Sequence, residues 1–551
     1  GTVTDALGDP LIGATVLVQG TSNGVITDID GRYSIQATPE NTLDFSYVGM
    51  VKQAVKVGSQ SVINVQMKDD SQMLAETVVI GYGSAKKRDL TGSITNIKGD
   101  EIANKPVVNP VSALQGKIAG VQVINSGKAG SDPEIRVRGT NSINGYKPLY
   151  VVDGLFNDNI NFLNPQDIES MEILKDPSSL AIFGVRGANG VIIITTKKAK
   201  EGKTSLSYDA TFGVRKASNV IEPLNAEEQL EMRKLSYANA GLTLPTGWDL
   251  TKNPWVGTTR TNWMDEIFRT AFYQRHNVAL NVGSENASNR VSFAYDNDEG
   301  VLINTFNKNL SLRYNGKFKL NKWVTITEDV VWKNNESRSK DTDSGYTGVV
   351  AAAMYMPASA TVYNPLDGTY GGTTTEDPDY IAKYGSNFAD IHGDAVNPVR
   401  LLEAENRYDR TSDIWSTTSL ELANIVTGLK FTSRFTYNLK NNLYKNFSPI
   451  RDEVGKPSLT NNLDETTYRA DAWKTENTLT YDNTFNDMHT LGVLLSTTAD
   501  HYSKRGLEVN GKDLSDESDY LQYLSYANSV SATDYLTGPD ANVSLIARLA
   551  Y

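Results

Sequence analysis

From about residue 203 onward, the chain alternates apolar and polar positions in short runs. One such run places Val278, Leu280 and Val282 between polar neighbours, and another does the same with Val291 and Phe293. A period of two indicates β-strands with one apolar face and one polar face. We count about ten such strands, and the apolar face also includes Tyr295, Leu310, Leu312, Tyr314, Val324, Ile326, Val330, Trp332, Leu429, Phe431, Phe435, Tyr437, Leu439, Trp473, Leu479, Tyr481, Leu491, Val493, Leu495, Val543, Leu545, Leu549 and Tyr551.

The connections between these strands alternate in length. Tight turns are predicted at 283–289 and 485–487, and long segments at 217–272, 335–412 and 440–468. Short turns at one end and long loops at the other are typical of outer-membrane β-barrels, whose long loops face outward. A water-soluble double sandwich shows the same alternation, but repeated loops of roughly 30 to 75 residues are uncommon in that fold.

Two smaller units precede the alternating region. Residues 1–68 contain short β-branched runs separated by Gly and Asp, which predicts a small β-sandwich. Asp28, Asp30 and Gly31 lie in an Asp-Gly turn, and the spacing of carboxylates around Gly31 does not match a calcium loop. Residues 93–202 alternate strand and helix signals and predict an α+β unit.

Within the first long loop, a helix is predicted over 225–241, with Asn225 as its cap and Gly241 as its stop.

Residues 69–92 form a polar linker around one short β-prone run. That run, flanked by charge and glycine, is suited to adding a strand to the sheet edge of another protein. Composition supports equally the alternative that it is a buried strand of the following domain.

Six ordered motifs resemble those of one known family. They are ETVVIGYG at 76–83, LQGKIAGVQV at 114–123, IRVRG at 135–139, PLYVVDG at 148–154, DIESMEILKD at 167–176 and ANGVIIITTK at 188–197. In order and spacing they are similar to the plug-domain motifs of SusC-like TonB-dependent outer-membrane transporters of the Bacteroidetes. Residues 1–68 resemble the carboxypeptidase-regulatory-like domain that often precedes such a plug, so the resemblance covers residues 1–200.

The resemblance implies an architecture and a set of partners. The fold is expected to be mainly β: a small amino-terminal β-sandwich, an α+β plug at 93–202, and part of a large antiparallel transmembrane β-barrel from 203 to 551. The TonB box falls on Glu76, Thr77, Val78, Val79, Ile80, Gly81 and Tyr82. Expected partners are TonB with its inner-membrane energising complex, a SusD-like surface lipoprotein, the lipid bilayer of the Gram-negative outer membrane, and an oligosaccharide or oligopeptide substrate.

The predicted strands are too few to close a barrel of this family. Plugged outer-membrane transporters close with about 22 strands, and an open edge in lipid leaves unpaired backbone groups that cost several kcal/mol each. We therefore expect these residues to be roughly the amino-terminal half of the transporter. Because the chain opens at Gly1 within a strand-like pattern, we also expect that its amino terminus is processed or trimmed.

Composition narrows the function. The chain has 551 residues, a net charge of −12 and no cysteine. The acidic balance disfavours nucleic acid as a partner, and the lack of cysteine excludes disulfides and thiolate chemistry. The longest apolar run, Val349–Met356, is far short of the roughly 20 residues that a spanning helix needs.

No pattern in the chain predicts catalysis, a cofactor or a metal site. The four histidines form no His-Glu-x-x-His motif, and neither a Gly-x-Ser-x-Gly elbow nor a complete phosphate loop occurs. Carboxylate pairs such as Asp167 and Glu169 are expected to be solvated charges rather than an acid–base pair. The chain is therefore not expected to be an enzyme.

The long loops hold the candidate substrate contacts. Aromatic faces stack on sugar rings or peptide side chains, and carboxylates accept hydrogen bonds from hydroxyl or amine groups. The alternative is that Trp and Tyr form the interfacial girdles of the barrel or pack one loop against another. The candidates are Trp248, Trp255, Trp263, Tyr346, Tyr363, Tyr370 and Asp367.

Two functions are consistent with the sequence. The first is TonB-dependent import of oligomeric nutrients, with oligosaccharides favoured over oligopeptides. The second is a surface receptor or adhesin on a barrel scaffold that does not transport.

Overall fold

The structure is a computed structural model of the chain. It describes all residues except 6–8, 22, 48–49, 68–76, 80–83, 87–93, 106, 108, 140–146, 158, 200–201, 203, 246–247, 252–253, 343, 345–347, 364–367, 372–395, 452–457 and 487–488. The described residues up to 86 form one compact unit, and those from 94 onward form another.

Strands dominate both units. The first unit contains β1 (Val3–Thr4), β2 (Thr15–Val18), β3 (Gly24–Ile26), β4 (Thr42–Ser46), β5 (Gln53–Lys56), β6 (Val65–Gln66), β7 (Thr77–Val79) and β8 (Ser84–Lys86). The plug contains β9 (Ile94–Lys98), β10 (Val121–Ile124), β11 (Glu134–Val137), β12 (Leu149–Val152), β13 (Leu155–Asn157), β14 (Ile168–Leu174) and β15 (Val191–Thr196). The large sheet contains β16 (Thr204–Arg215), β17 (Ala271–Gly283), β18 (Ala287–Glu299), β19 (Phe306–Lys319), β20 (Val324–Arg338), β21 (Asn406–Ala423), β22 (Leu429–Ser448), β23 (Asn462–Phe485), β24 (His489–Leu514) and β25 (Ala527–Ala550).

The helices are short and lie in the plug and the loops. The α-helices are α1 (Gly99–Ala103), α2 (Pro177–Leu180), α3 (Ala226–Asn239), α4 (Trp263–Ile267), α5 (Val349–Tyr355) and α6 (Pro398–Glu403). The 3-10 helices are Pro110–Leu114, Pro165–Asp167, Ala181–Gly187, Pro254–Gly257, Asp519–Leu521 and Leu524–Tyr526. Within the described part of the chain, no helix combines the length and the apolar character needed to cross a membrane.

The first unit has the small β-sheet architecture expected from its sequence. A four-stranded sheet of order β3-β2-β4-β5 accompanies the parallel pair β1-β6, and Val3, Val16, Phe45 and Met67 are buried between them. The side chain of Asp28 accepts the backbone N–H groups of the second and fourth residues after it. This Asp-Gly segment is therefore a hydrogen-bonded turn.

The strand β7 pairs only locally within the described residues. Its three residues run antiparallel to β8, with Val78 opposite Ala85, and they take no part in the sheet of the plug.

The plug is built on a five-stranded sheet of order β13-β12-β15-β14-β9. The strands β12 and β15 run parallel and the other pairs antiparallel, and the hairpin β10-β11 lies beside them. All four residues of β12 and the first four of β15 are buried, which explains their continuous apolar sequence. The segment is thus an α+β domain, as its pattern predicted.

Among the described residues, ten strands form one antiparallel sheet in chain order, from β16 to β25. This confirms the prediction of about ten strands in one large antiparallel sheet. The tight turn after β17 and the long connections 216–270 and 339–405 lie where the sequence placed them. The third long loop is shorter than predicted, because β22 continues to Ser448 and β23 begins at Asn462. Polar residues such as Asn441 and Asn442 interrupt the apolar alternation there while the backbone pairing continues.

The helix predicted in the first long loop is present as α3. The Asn225 side chain accepts the N–H of Glu228, and the Glu228 side chain accepts the N–H of Asn225, which forms a capping box. After the helix, Gly241 has a φ of +68°, a conformation that favours glycine and ends helices.

Candidate functional site: the plug, the barrel wall and the chamber between them

The two faces of the ten-stranded sheet have opposite character. The residues Val278, Leu280, Phe293 and Leu312 are exposed on one face. The other face carries buried polar and charged side chains, among them Arg275, Asn277, Arg290, Ser292, Asp296, Asn307, Asn309 and Arg313. Because strand side chains alternate between faces, these polar side chains share one face, which on β17 to β20 contacts the plug. The sheet is therefore part of a barrel wall that surrounds the plug.

Arg313, on β19, binds the plug through an ionic cluster. Its guanidinium donates to Thr196 Oγ1 at 2.8 Å and lies 3.5 Å from Asp153 Oδ2, both of which belong to the plug. The same guanidinium donates to Asp329 on β20, with its Nε 3.1 Å from Oδ1. Asp153 also accepts the N–H of Thr196. The wall and the plug thus share one buried cation.

A second ion pair joins β18 to the plug. Arg290 Nη2 lies 3.0 Å from Asp167 Oδ1, and the two side chains are 8% and 6% exposed. The expectation that Asp167 is a solvated charge is therefore wrong. Asp167 is the last residue of the 3-10 helix Pro165–Asp167, where the plug touches the wall, whereas the nearby Glu169 is exposed as expected.

Two further cations of the wall donate to plug carbonyl groups. Arg275 Nη2 donates to Val107 O at 2.7 Å, and Lys333 donates to Asn161 O. Removing one partner of a buried ion pair, such as that of Arg290 and Asp167, typically costs about 3–5 kcal/mol, because the other charge is left without compensation, and a hydrogen bond from a charged donor contributes about 1.5–3 kcal/mol. These four cations therefore hold the plug firmly against strands β17 to β20.

A cavity of about 970 Å³ lies between the plug and the wall. We call it the loop-side chamber, because on β19 and β20 its lining residues lie in the half of the strand nearer the long loops, as at Asn335, and on β21 it includes Thr411 near the start of the strand. Its polar lining is rich in amides, and the asparagines are Asn109, Asn157, Asn159, Asn161, Asn307, Asn309, Asn335, Asn438 and Asn542.

Aromatic and charged side chains complete this lining. Trp415, Tyr468 and Tyr502 contribute rings. The charged lining side chains are Arg186, Lys333, Lys440, Lys474, Lys504, Asp132, Asp413, Asp500 and Asp540. A primary amide both donates and accepts hydrogen bonds, and rings provide flat apolar contact. The chamber is thus suited to an oligomer that carries many hydroxyl or amide groups.

Two of the predicted loop aromatics come together outside this chamber. The rings of Tyr363 and Tyr370 lie 5.4 Å apart, and their hydroxyl groups donate to the same oxygen of Glu403, at 3.1 and 3.3 Å. Burial, with the negative charge of Glu403, raises the pKa of Tyr370 to about 12. Tyr363 is 49% exposed and offers an edge for contact.

The predicted tryptophans pack within the loops. Trp263 is 1% exposed and donates its indole N–H to Pro357 O at 2.9 Å. Trp248 is 2% exposed and packs with Leu230 of α3. Trp255 belongs to the 3-10 helix Pro254–Gly257, and Tyr346 and Asp367 lie outside the described residues. The substrate roles of all seven residues stay predictions.

Of the predicted TonB box, only Thr77, Val78 and Val79 lie within the described residues, as β7. Glu76, Ile80, Gly81 and Tyr82 lie outside them. The described part of the chain contains no cluster of three or more potential metal ligands.

The cations that hold the plug, and the lining of the chamber, were missed by the sequence reasoning. One signal was available, because Arg275, Arg290 and Arg313 occupy polar positions inside strongly alternating strands. A charge on the inner face of a barrel needs a partner, but the sequence alone does not identify that partner.

Comparisons with known proteins agree with this geometry. The family model described as TonB-dependent Receptor Plug Domain matches residues 86–191, and that described as CarboxypepD_reg-like domain matches residues 1–79. The chain is 37% identical over 435 residues to the TonB-dependent receptor SusC of Bacteroides thetaiotaomicron, covering 75% of this chain and 41% of SusC. It is 31% identical over 565 residues to the TonB-dependent receptor P3 of Formosa agariphila, covering 100% of this chain and 52% of P3.

A solved structure of the RagAB peptide transporter shares the fold, with a TM-score of 0.68 at 21% identity, over 84% of this chain and 53% of that chain. The chain therefore spans about half the length of these relatives, which are named as receptors and transporters rather than enzymes. Its motif order, its plug and its ten-stranded wall agree with these matches. The chain belongs to the SusC-like TonB-dependent receptors.

Proposed function

We propose that this chain is part of a TonB-dependent importer of oligomeric nutrients in the Gram-negative outer membrane. The observation that carries the proposal is the inverted polarity of the sheet, which is apolar on its outer face and ionic on the face towards the plug. A water-soluble protein buries its apolar face, whereas a lipid-embedded wall exposes it.

The outer apolar face is continuous across strands. The register places Val278, Phe293, Leu312, Trp332 and Ile414 in one row over β17 to β21. Side chains in such a row face lipid if the strands cross a membrane.

Placing a charge in this row tests the membrane assignment. Phe293 is the middle residue of β18 and is 44% exposed. We expect Phe293→Lys to destabilise the inserted barrel by roughly 2–4 kcal/mol and to lower the amount of folded protein in the outer membrane. Heat-modifiable gel mobility of membrane fractions measures this, with Phe293→Leu as the matched control. Equal folding of the lysine and leucine variants would contradict a lipid-facing Phe293.

In this proposal the plug closes the barrel at rest and the segment 76–82 serves as the TonB box. The buried pairs of Arg290 and Arg313 support the first part, since they hold the plug to the wall. The local pairing of β7 supports the second, because within the described residues this strand pairs with β8 alone and takes no part in the plug sheet, so that a partner strand can add beside it. The first unit and the TonB box then lie on the periplasmic side.

For the substrate we favour an oligosaccharide. The amides and rings of the loop-side chamber suit the hydroxyl groups and flat faces of sugars, and Tyr363 and Tyr370 are proposed contacts at the loops. An oligopeptide is the alternative, because amides also bind peptide backbones and RagAB, which shares this fold, is a peptide transporter.

A SusD-like surface lipoprotein is the proposed lid over the long loops. The exposed apolar side chains of α3, Met232 and Leu235, support a protein partner on this side.

Uptake measured beside surface binding tests the function. Cells that express the full-length protein receive labelled oligosaccharides or oligopeptides, with and without TonB. We expect one substrate class to bind in both strains and to enter only when TonB is present, because plug removal requires work. Equal uptake in both strains contradicts energised import, and binding without any uptake favours the receptor or adhesin function.

A further inference from the structure

A second, smaller cavity of about 350 Å³ lies between the plug and the same wall. We call it the turn-side chamber, because it meets the strands in the half nearer the short turns. The strand β21 shows the order: Thr411 and Asp413 line the loop-side chamber, Trp415 lines both chambers, and Thr417 and Ser419 line the turn-side chamber. The strands β19, β20 and β22 divide in the same sense. The two cavities are therefore successive spaces along one side of the plug.

A pair of stacked rings lies where the chambers meet. Phe162 of the plug and Trp415 of the wall have ring centroids 4.7 Å apart and planes inclined by 25°. Phe162 is only 7% exposed. The chambers also share Leu155 and Asn157, so this stack lies at their common boundary.

The turn-side chamber has a cationic lining. Lys198, Arg313, Lys317 and Arg434 line it, against two carboxylates, Asp153 and Asp329. The chain as a whole is acidic, with a net charge of −12, so this excess of cations is local. A concave, partly enclosed surface with a net positive charge raises the local concentration of anionic ligands. Its chemistry suits a group that carries a carboxylate.

Arg313 connects this chamber to the attachment of the plug. Its guanidinium both lines the chamber and contacts Asp153 and Thr196 of the plug. A carboxylate that enters the chamber competes with Asp153 for the same donors. Arrival of an anionic substrate would thus weaken one of the contacts that hold the plug.

We infer that the turn-side chamber is a second substrate site, selective for carboxylate-bearing oligomers and separated from the loop-side chamber by the Phe162–Trp415 stack. This inference rests on the proposed import function, because a second substrate site has a role only in a protein that carries its substrate across the membrane. The substrate passes from one chamber to the other when the ring stack opens. The carboxylate could come from an acidic sugar or from an acidic peptide.

Single cysteines report access to each chamber, because the chain contains no cysteine of its own. Thr411→Cys probes the loop-side chamber and Ser419→Cys the turn-side chamber, on the same face of β21. The probes are maleimides attached to short oligomers too bulky for general pores and added outside intact cells that express the full-length protein. They carry an acidic peptide, an uncharged peptide, a uronic-acid oligosaccharide or a neutral oligosaccharide.

With the ring stack intact, we expect Ser419→Cys to react roughly tenfold more slowly than Thr411→Cys. Adding Trp415→Ala should bring the two rates together, whereas Trp415→Phe, which keeps a ring, should leave them apart. In the Trp415→Ala background, acidic probes should label Ser419→Cys faster than uncharged ones. Whether the peptide or the sugar series shows the larger difference identifies the source of the carboxylate.

Equal labelling of the two cysteines with Trp415 present overturns the barrier, and labelling of Ser419→Cys that does not depend on probe charge overturns the anionic selectivity. Labelling is measured in cells without TonB, so it does not depend on energised import. Failure of this inference and failure of the proposed function are thus distinguishable.

Discussion

Replacing Val78 with proline is expected to reduce uptake to the level of cells without TonB, while binding of substrate at the cell surface is unchanged. The reason is geometric. A strand that adds to the sheet of a partner contributes its backbone N–H and C=O groups, and proline removes one N–H and restricts the backbone. Val78 is the central residue of β7, so the change interrupts the middle of the proposed TonB box.

The matched control is Val78→Thr, which keeps a β-branched side chain and the backbone N–H. Uptake and surface binding of a labelled substrate are measured in the same cells, together with the amount of protein in the outer membrane. Deletion of residues 76–82 should match the proline variant. Normal uptake by the proline variant and by the deletion would show that this segment is not the TonB box.

The second large effect is expected from Arg290→Ala, which leaves Asp167 buried at the wall without its cation. A loss of about 3–5 kcal/mol corresponds to a shift of roughly a hundredfold to several thousandfold towards a detached plug. We expect the outer membrane to leak. Sensitivity of cells to bulky antibiotics, and the conductance of the purified full-length protein in planar bilayers, both measure this.

An ion pair of the same barrel that lies away from the plug supplies the control. Arg505 and Asp534 lie 3.6 Å apart, with side chains 77% and 71% exposed, and Arg505→Ala should not change permeability because exposed pairs contribute little. The double variant Arg290→Ala, Asp167→Asn should leak less than the single one, since it removes the uncompensated charge. If the single variant of Arg290 leaks no more than that of Arg505, the plug is held by other contacts.

Local patterns in the sequence were sufficient for much of the fold. The alternation around Val278 and Phe293 predicted strands and their outer face, and the Asn225 cap and Gly241 stop predicted α3. These features depend on residues close in the chain, and their physical causes, side-chain periodicity and capping, act over a few residues. The strand ends near Ser448 and Asn462 were missed, because backbone pairing continued where the apolar signal did not.

The candidate site, unlike the strands and the helix α3, depends on contacts between residues that are far apart in the chain. The partners Arg290 and Asp167 are 123 positions apart, and Arg313 and Asp153 are 160 apart. The surroundings of Asp167 were predicted incorrectly for that reason, since a carboxylate in a turn is usually solvated unless another element covers it. The packing of Trp248 and Trp263 within the loops likewise depends on distant segments, such as the carbonyl of Pro357 for Trp263.

The sequence by itself determined the family, the order of the domains and the two faces of the wall, because motif spacing and side-chain alternation are properties of the chain read locally. Only the tertiary structure decided which charges hold the plug, where the two chambers lie, and that Phe162 meets Trp415 between them. Those contacts arise when the plug and the wall pack together, and nothing in the spacing of residues along the chain encodes them.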